Sequence, residues 1–198
     1  MTEKEKRDLG LLYDANYDKA LGEEMLKCKD ICFEFNSVNP SKIEKKIKLI
    51  KKLFGKTGES FNILAPFWCD YGYNIEIGEN FFANHNCVIL DGAKVKFGDN
   101  VFIAPDCGFY TAGHPIDSAR RNAGLEYAYP ITVGDNVWFG GGVKVLPGVT
   151  IGSNVVIGAG SVVTHDIPDN VIAVGNPCKV LRKITEKEIN KEYVFKKE

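Results

Sequence analysis

From Val133 onward an aliphatic or aromatic residue returns at every sixth position: Val133, Phe139, Val145, Ile151, Ile157 and Val163. An α-helix repeats every 3.6 residues and a half-buried strand every two, so a sustained period of six requires a different architecture. Gly follows the hydrophobic position at 134, 140, 152 and 158, and Val143, Val149 and Val155 add a second apolar position per unit. This pattern predicts a left-handed parallel β-helix, in which each hexapeptide is one short strand plus a turn and three hexapeptides close a triangular coil.

The period extends back through Phe97, Ile103 and Phe109, and a set in another phase, Ile77, Ala83, Ile89 and Val95, precedes them. Four tetrapeptides mark the corners: Ile77-Gly-Glu-Asn80, Phe97-Gly-Asp-Asn100, Val133-Gly-Asp-Asn136 and Ile151-Gly-Ser-Asn154. Gly, Asp and Asn tolerate the positive φ that tight corners demand. Residues 111–129 lose the period, which predicts a loop inserted into the coil, the usual place for function on a rigid solenoid.

The organisation expected is an N-terminal helical segment over 1–60, the β-helix over 61–176, and a tail over 177–198 with a short helix from Thr185 to Lys197. In the leader, Thr2-x-x-Glu5 and Ser41-x-x-Glu44 have capping-box form, and Ile43, Ile47, Ile50 and Phe54 share a helix face. Seven Lys lie between 42 and 56, a solvated outer face of a helix packed on the coil rather than a membrane-binding surface.

Charge changes the picture by exclusion. Twenty-five Lys and Arg balance 26 Asp and Glu, which gives no footprint for nucleic acid. No apolar run reaches membrane-spanning length and Met-Thr-Glu-Lys-Glu-Lys is unlike a signal peptide, so a cytoplasmic protein is expected. The six Cys, at 28, 32, 69, 87, 107 and 178, include no CxxC pair. Cys28 and Cys32 fall on the apolar helix stripe with Leu21, Met25 and Phe35, and packing is the expected role of all six.

Three histidines carry the candidate chemistry. His114 lies in the period-breaking loop, where no coil-packing rule requires it, and imidazole is suited to general base catalysis. His85 and His165 do not break the pattern and are weaker candidates. The three are separated by 29 and 51 residues, unlike the short ligand spacings of a zinc site, so no metal is expected. Asn84 and Asp91 follow inward positions by one or two residues and are expected at corners or facing outward.

Gly10-x-x-Tyr13, Phe35-Asn36, Cys69-Asp-Tyr-Gly-Tyr-Asn74, Asn80-Phe-Phe-Ala-Asn84, Ile103-Ala-Pro105, Thr111-Ala-Gly-His-Pro115, Asn136-Val-Trp138 and Gly175-Asn-Pro177 stand at specific separations along nearly the whole chain. In these motifs the chain resembles the maltose and galactoside O-acetyltransferases of the hexapeptide acyltransferase superfamily, and the maltose branch more than the galactoside branch. The resemblance implies acetyl transfer from acetyl-CoA to a sugar hydroxyl, at sites between subunits of a homotrimer, without a metal. It places the base at His114 with Asn84 beside the reacting oxygen, and acceptor contacts at Asp14, Asp70, Asn84, Asp91 and Gly92. Its CoA contacts map onto Gly141, Ala159, Thr164, His165, Lys179 and Arg182, with Trp138 nearby. Two departures bear on specificity: His165 stands where Lys is common, and Gly92 stands where the galactoside branch has a second Asp. The competing readings are acetyl transfer to a non-sugar hydroxyl, a zinc-dependent hydratase of the carbonic-anhydrase type on the same fold, and a purely structural solenoid, which would leave the His114 loop unexplained.

Overall fold

A computed structural model describes residues 1–189, 191 and 193. The hexapeptides form three parallel sheets that wrap a triangular prism. The first face stacks Ile75–Glu76, Val95–Phe97, Ile131–Val133 and Thr150–Ile151. The second runs from Phe61–Ile63 through Phe81–Ala83, Phe102–Ile103, Val137–Phe139 and Val155–Ile157 to Val171–Val174. The third stacks Phe67–Cys69, Cys87–Leu90, Gly108–Tyr110, Lys144–Val145 and Val162–Val163.

Strand register explains the change of phase along the sequence. Partners are 20 residues apart in the early coils, as in Ala83 with Ile103 and Ile89 with Phe109, and 18 apart later, as in Phe139 with Ile157. Phe97 pairs with Val133, so the coil between them carries the inserted segment and then resumes in register. Inside the prism the rings of Phe81, Phe97, Phe109 and Phe139 follow one another at centroid distances of 5.2, 5.0 and 5.1 Å. The last two contacts are edge-to-face, the arrangement the ring quadrupole favours.

The corner tetrapeptides work as a unit. Asn80, Asn100, Asn136, Asn154 and Asn170 all have positive φ, and amides bond from coil to coil, Asn80 to Asn100 to Asn136 and Asn154 to Asn170. The preceding residue repeats a second ladder: Glu79 N–H donates to Asp99, Asp99 N–H to Asp135, and Ser153 N–H to Asp169. Gly98 is required by proximity, because a Cβ there would lie 2.9 Å from the backbone of Gly134 in the next coil.

The leader caps the N-terminal end of the prism with α1 (Glu3–Asp8), α2 (Lys19–Ser37) and α3 (Ile43–Leu53). Thr2 and Glu5 form the reciprocal capping box expected of them. Ser41 does not: α3 begins from Lys42 without a side-chain cap, because the Ser41 hydroxyl donates to Asn39 Oδ1 at 2.9 Å. Ile43 stays exposed, and α3 buries Leu49, Ile50 and Leu53. α2 buries Leu21, Cys28, Cys32 and Phe35 and is capped by Asp18, whose carboxylate accepts the N–H of Leu21. The leader also contains a strand, Tyr13–Asp14, which the helical expectation for 1–60 did not include.

The inserted segment is ordered rather than irregular. Ala112–Gly113 and Leu125–Ala128 pair antiparallel, Tyr13–Asp14 adds to the other edge of Leu125–Ala128, and a short helix α4 (Ser118–Asn122) closes the far end. After the prism, Lys179–Lys183 folds back antiparallel onto Val171–Val174, a strand not anticipated in the tail. One turn, α5 (Glu186–Ile189), stands within the expected C-terminal helix, and positions 190, 192 and 194–198 of that stretch lie outside the described residues.

Candidate active site

The three-stranded antiparallel sheet aims His114. Its Nδ1 lies 3.1 Å from the carbonyl oxygen of Leu125, an acceptor, so Nδ1 carries the proton and Nε2 keeps its lone pair. Nε2 faces Glu126, 3.7 Å from Oε1, and the ring remains 48% exposed and open to a reactant. The other carboxylate oxygen, Oε2, accepts a bond from the Tyr13 hydroxyl at 3.3 Å. Burial raises the Glu126 pKa, opposed by His114 and by the Tyr13 bond. Burial also pushes the Tyr13 phenol up, which keeps it a donor.

Asp70 and Gly92 border the same region. The Asp70 carboxylate pairs with Lys29 Nζ at 2.9 Å, and its charge is felt by Glu126. Gly92 is buried, and a Cβ there would meet Ala128 Cβ at 3.2 Å and the Tyr13 oxygen at 3.3 Å. His114, Glu126, Tyr13 and Gly92 are therefore linked by successive contacts, and the Asp70 charge reaches the same carboxylate. Glu126, Tyr13 and Lys29 were not singled out as functional from the sequence; the alternation Leu-Glu-Tyr-Ala at 125–128 was the available signal for a strand that would aim Glu126.

Two acidic residues have other occupations. Asp91 is 0% exposed: Oδ1 accepts the N–H groups of Asp70 and Tyr71 at 2.9 Å each, and Oδ2 faces the N–H of Asn74 at 3.4 Å. The expectation that the Asp91 side chain lies at a corner or faces outward is corrected to a corner with the carboxylate turned inward, since backbone donors lining that corner draw it in. Burial raises the Asp91 pKa to about 6, against the lowering effect of those donors. The Asp14 carboxylate accepts the N–H groups of Asn16 and Tyr17 and so closes a turn.

Asn84 belongs to a separate cleft, with Phe82, Phe102, Ile103, Ala104 and Trp138. Its Oδ1 accepts the N–H of His85, and Trp138 is 53% exposed on the outer side of the second face. Gly141 is a low point on the coil, where the nearest atom to a Cβ is Pro105 O at 3.6 Å, and Ala159 is exposed. Thr164 Oγ1 and His165 Nδ1 are 2.8 Å apart. Lys179 pairs with Val174 and Arg182 with Ile172 across a register shift that makes Leu181 the extra residue. In a straight strand a three-residue spacing would place Lys179 and Arg182 on opposite faces; the bulge puts both on the side of Ile172 and Val174. Arg182 is paired with Glu188 at 2.7 Å.

A hexapeptide solenoid with an ordered excursion presenting a histidine and a half-buried carboxylate defines a class, and comparison with known proteins specifies it. Residues 8–58 match the maltose acetyltransferase hexapeptide capping motif, and residues 130–165 match the bacterial transferase hexapeptide of six repeats. A Saccharomyces cerevisiae protein, named a candidate acetyltransferase, is 62% identical over 90% of this chain and 91% of its own length. The crystal structure of a maltose O-acetyltransferase from Clostridium difficile 630 superposes with a TM-score of 0.92 at 54% identity, covering 93% of this chain and 98% of the other. A galactoside acetyltransferase in complex with coenzyme A superposes at 0.93 with 45% identity, covering 99% and 96%. The chain belongs to the maltose and galactoside O-acetyltransferase family of hexapeptide-repeat acyltransferases, and it is an acetyltransferase.

Proposed function

We propose that the chain transfers acetyl from acetyl-CoA to a sugar hydroxyl by direct attack, with His114 as general base. The observation that carries this reading is the His114 environment: Nδ1–H is held by the Leu125 carbonyl, so the basic Nε2 is exposed beside Glu126. Nε2 takes the proton of the acceptor hydroxyl as its oxygen bonds to the thioester carbonyl carbon, and returns a proton to the CoA sulfur as the C–S bond breaks. Glu126 offers countercharge to the imidazolium that exists between these events. Asn84 donates from its amide to the reacting oxygen, while Asp70 accepts from a sugar hydroxyl and Asp14 bears on the acceptor side.

The donor side is supported by small residues and by late positive charge. Gly141 and Ala159 leave room for an extended pantetheine chain against the backbone near Trp138, with Thr164 and His165 further along. Lys179 and Arg182 provide charge for phosphates. Both a related galactoside acetyltransferase and a Vibrio cholerae hexapeptide-repeat acetyltransferase have been crystallised with coenzyme A or its acetyl form. Asn84 and His114 sit in separate regions of one chain, which fits catalysis between subunits: in a homotrimer the Asn84 cleft of one subunit faces the His114 side chain of the next. The segments 1–60, 61–176 and 177–198 then serve as cap, catalytic coil and CoA-facing tail of a cytoplasmic enzyme. Among the described residues no helix is long and apolar enough to cross a membrane.

The test is a thiol-release screen with acetyl-CoA and a panel of mono- and disaccharides alongside serine and aromatic alcohols. Sugar-dependent release that falls by at least about 100-fold in a folded His114→Ala variant supports the reading. Release only with non-sugar alcohols would move the acceptor class, and unchanged turnover in His114→Ala would remove the base.

A further inference from the structure

We propose that Cys28, Cys32 and Cys69 form a binding site for a soft monovalent cation, Cu(I), held by three sulfurs between α2 and the third face. Cys28 and Cys32 are one helical turn apart and present both thiols on one face of α2. Cys69 ends the strand Phe67–Cys69 that this face packs against. Cys69 Sγ lies 3.5 Å from Cys28 Sγ and 3.7 Å from Cys32 Sγ, and all three sulfurs lie within 4.8 Å of one another. A metal about 2.3 Å from each of three sulfurs needs them roughly 4 Å apart, so little rearrangement separates the thiol cluster from a ligand set.

Sulfur donors exclude the hard cations, which take oxygen. Zinc takes four ligands, and among the described residues no His or carboxylate joins these three. Cu(I) is soft and is satisfied by two or three thiolates, which matches both the donor type and the count. Lys29 lies next to Cys28 in the chain, and its ammonium bonds the Cys69 carbonyl oxygen at 2.9 Å, a cation placed against the negative charge of a copper–thiolate group. Each thiol gives up its proton when its sulfur becomes a metal ligand. Binding therefore releases protons and tightens as pH rises. The bond would tether α2 to the coil directly behind Asp70, the neighbour of Cys69. This site does not depend on the acetyl-transfer reading, and its test uses no activity.

The full-length, fully reduced chain is titrated anaerobically with Cu(I) against the chelator bicinchoninate, and the copper-loaded protein is examined by X-ray absorption. We expect one Cu(I) per chain withheld from the chelator, with sulfur as its only neighbours. Cys28→Ala with Cys69→Ala should weaken binding by more than about 100-fold, beyond the range of outer-shell changes, whereas Cys87→Ala with Cys178→Ala should not. Three results overturn the site: no copper withheld, nitrogen or oxygen among the neighbours, or binding that persists in the folded Cys28/Cys69 variant. Tighter binding of Zn(II) than of Cu(I) would overturn the choice of ion. If the double variant fails to fold, the absorption spectrum of the unmodified chain decides alone.

Discussion

His114 Nε2 stands 3.7 Å from Glu126 Oε1, too far for a good hydrogen bond and close enough for strong attraction once the imidazole is charged. The carboxylate therefore leaves the neutral base free to work and offers countercharge to the imidazolium formed during the reaction. Glu126→Gln keeps the shape and removes the charge. We expect kcat to fall roughly 10- to 100-fold, about 1.4–2.7 kcal/mol, the scale of a charge interaction in a half-buried site between the limits of water and of a protein surface. An unchanged kcat would make Glu126 a packing group.

Asp91 supplies a pH signature in stability. Its folded pKa, about 6, lies above the ordinary carboxylate value because burial disfavours the charged form. The sign follows from linkage: the folded state binds the extra proton, so this group's contribution to stability is present at low pH and is lost as pH rises through about 6. Asp91→Asn keeps an Oδ1 acceptor for the N–H groups of Asp70 and Tyr71 and cannot ionise. Unfolding in urea should therefore show Asn gaining on the parent between pH 4 and pH 7, and a pH-independent difference would contradict the assigned cause. Asp91→Ala leaves two buried donors unpaired and should cost about 1–3 kcal/mol for each.

Direct transfer predicts that no acetyl-enzyme forms. All six cysteines are buried, and the neighbours of the His114 ring, Leu125 and Glu126, bring no hydroxyl or thiol that the imidazole could activate as a nucleophile. Mass spectrometry of enzyme mixed with acetyl-CoA in the absence of acceptor should find the unmodified chain. A covalent acetyl that chases onto added sugar would replace the ternary-complex mechanism with a double displacement.

What was legible in the sequence was set by periodicity. Inward side chains of a hexapeptide coil recur because the prism has room for apolar groups only, so Val133 to Val163 declare the fold by themselves. The corner Asn residues were legible for a similar reason, since their positive φ limits residue choice. Glu126 was not, because it owes its position to pairing with Tyr13, 113 residues away, and no local pattern encodes that pairing. The inward turn of Asp91 was hidden too: a carboxylate after a strand reads as solvated unless the three backbone amides converging on it are seen. The approach of Cys69 to Cys28 and Cys32 likewise belongs to tertiary packing of α2, not to sequence spacing.

The strand Lys179–Lys183 lies antiparallel on Val171–Val174. Its bulge at Leu181 sets Lys179 and Arg182 on one side, and Arg182 is already held by Glu188, whose carboxylate also accepts from Thr185. A guanidinium fixed in this way can meet a phosphate at little further cost in side-chain entropy. Lys179→Ala with Arg182→Ala should raise KM for acetyl-CoA and leave the acceptor KM and kcat nearly unchanged, because contacts remote from the thioester contribute uniform binding. The preference for acetyl-CoA over a short acetyl-pantetheine thioester should shrink, and the salt sensitivity of KM for acetyl-CoA should fall with it. Glu188→Gln separates the two cations: if Arg182 needs its carboxylate partner to stay in place, KM rises even though the variant gains net positive charge. A fall in KM would mean instead that Glu188 merely competes with the CoA phosphates, and no change in the double variant would place those phosphates elsewhere on the coil.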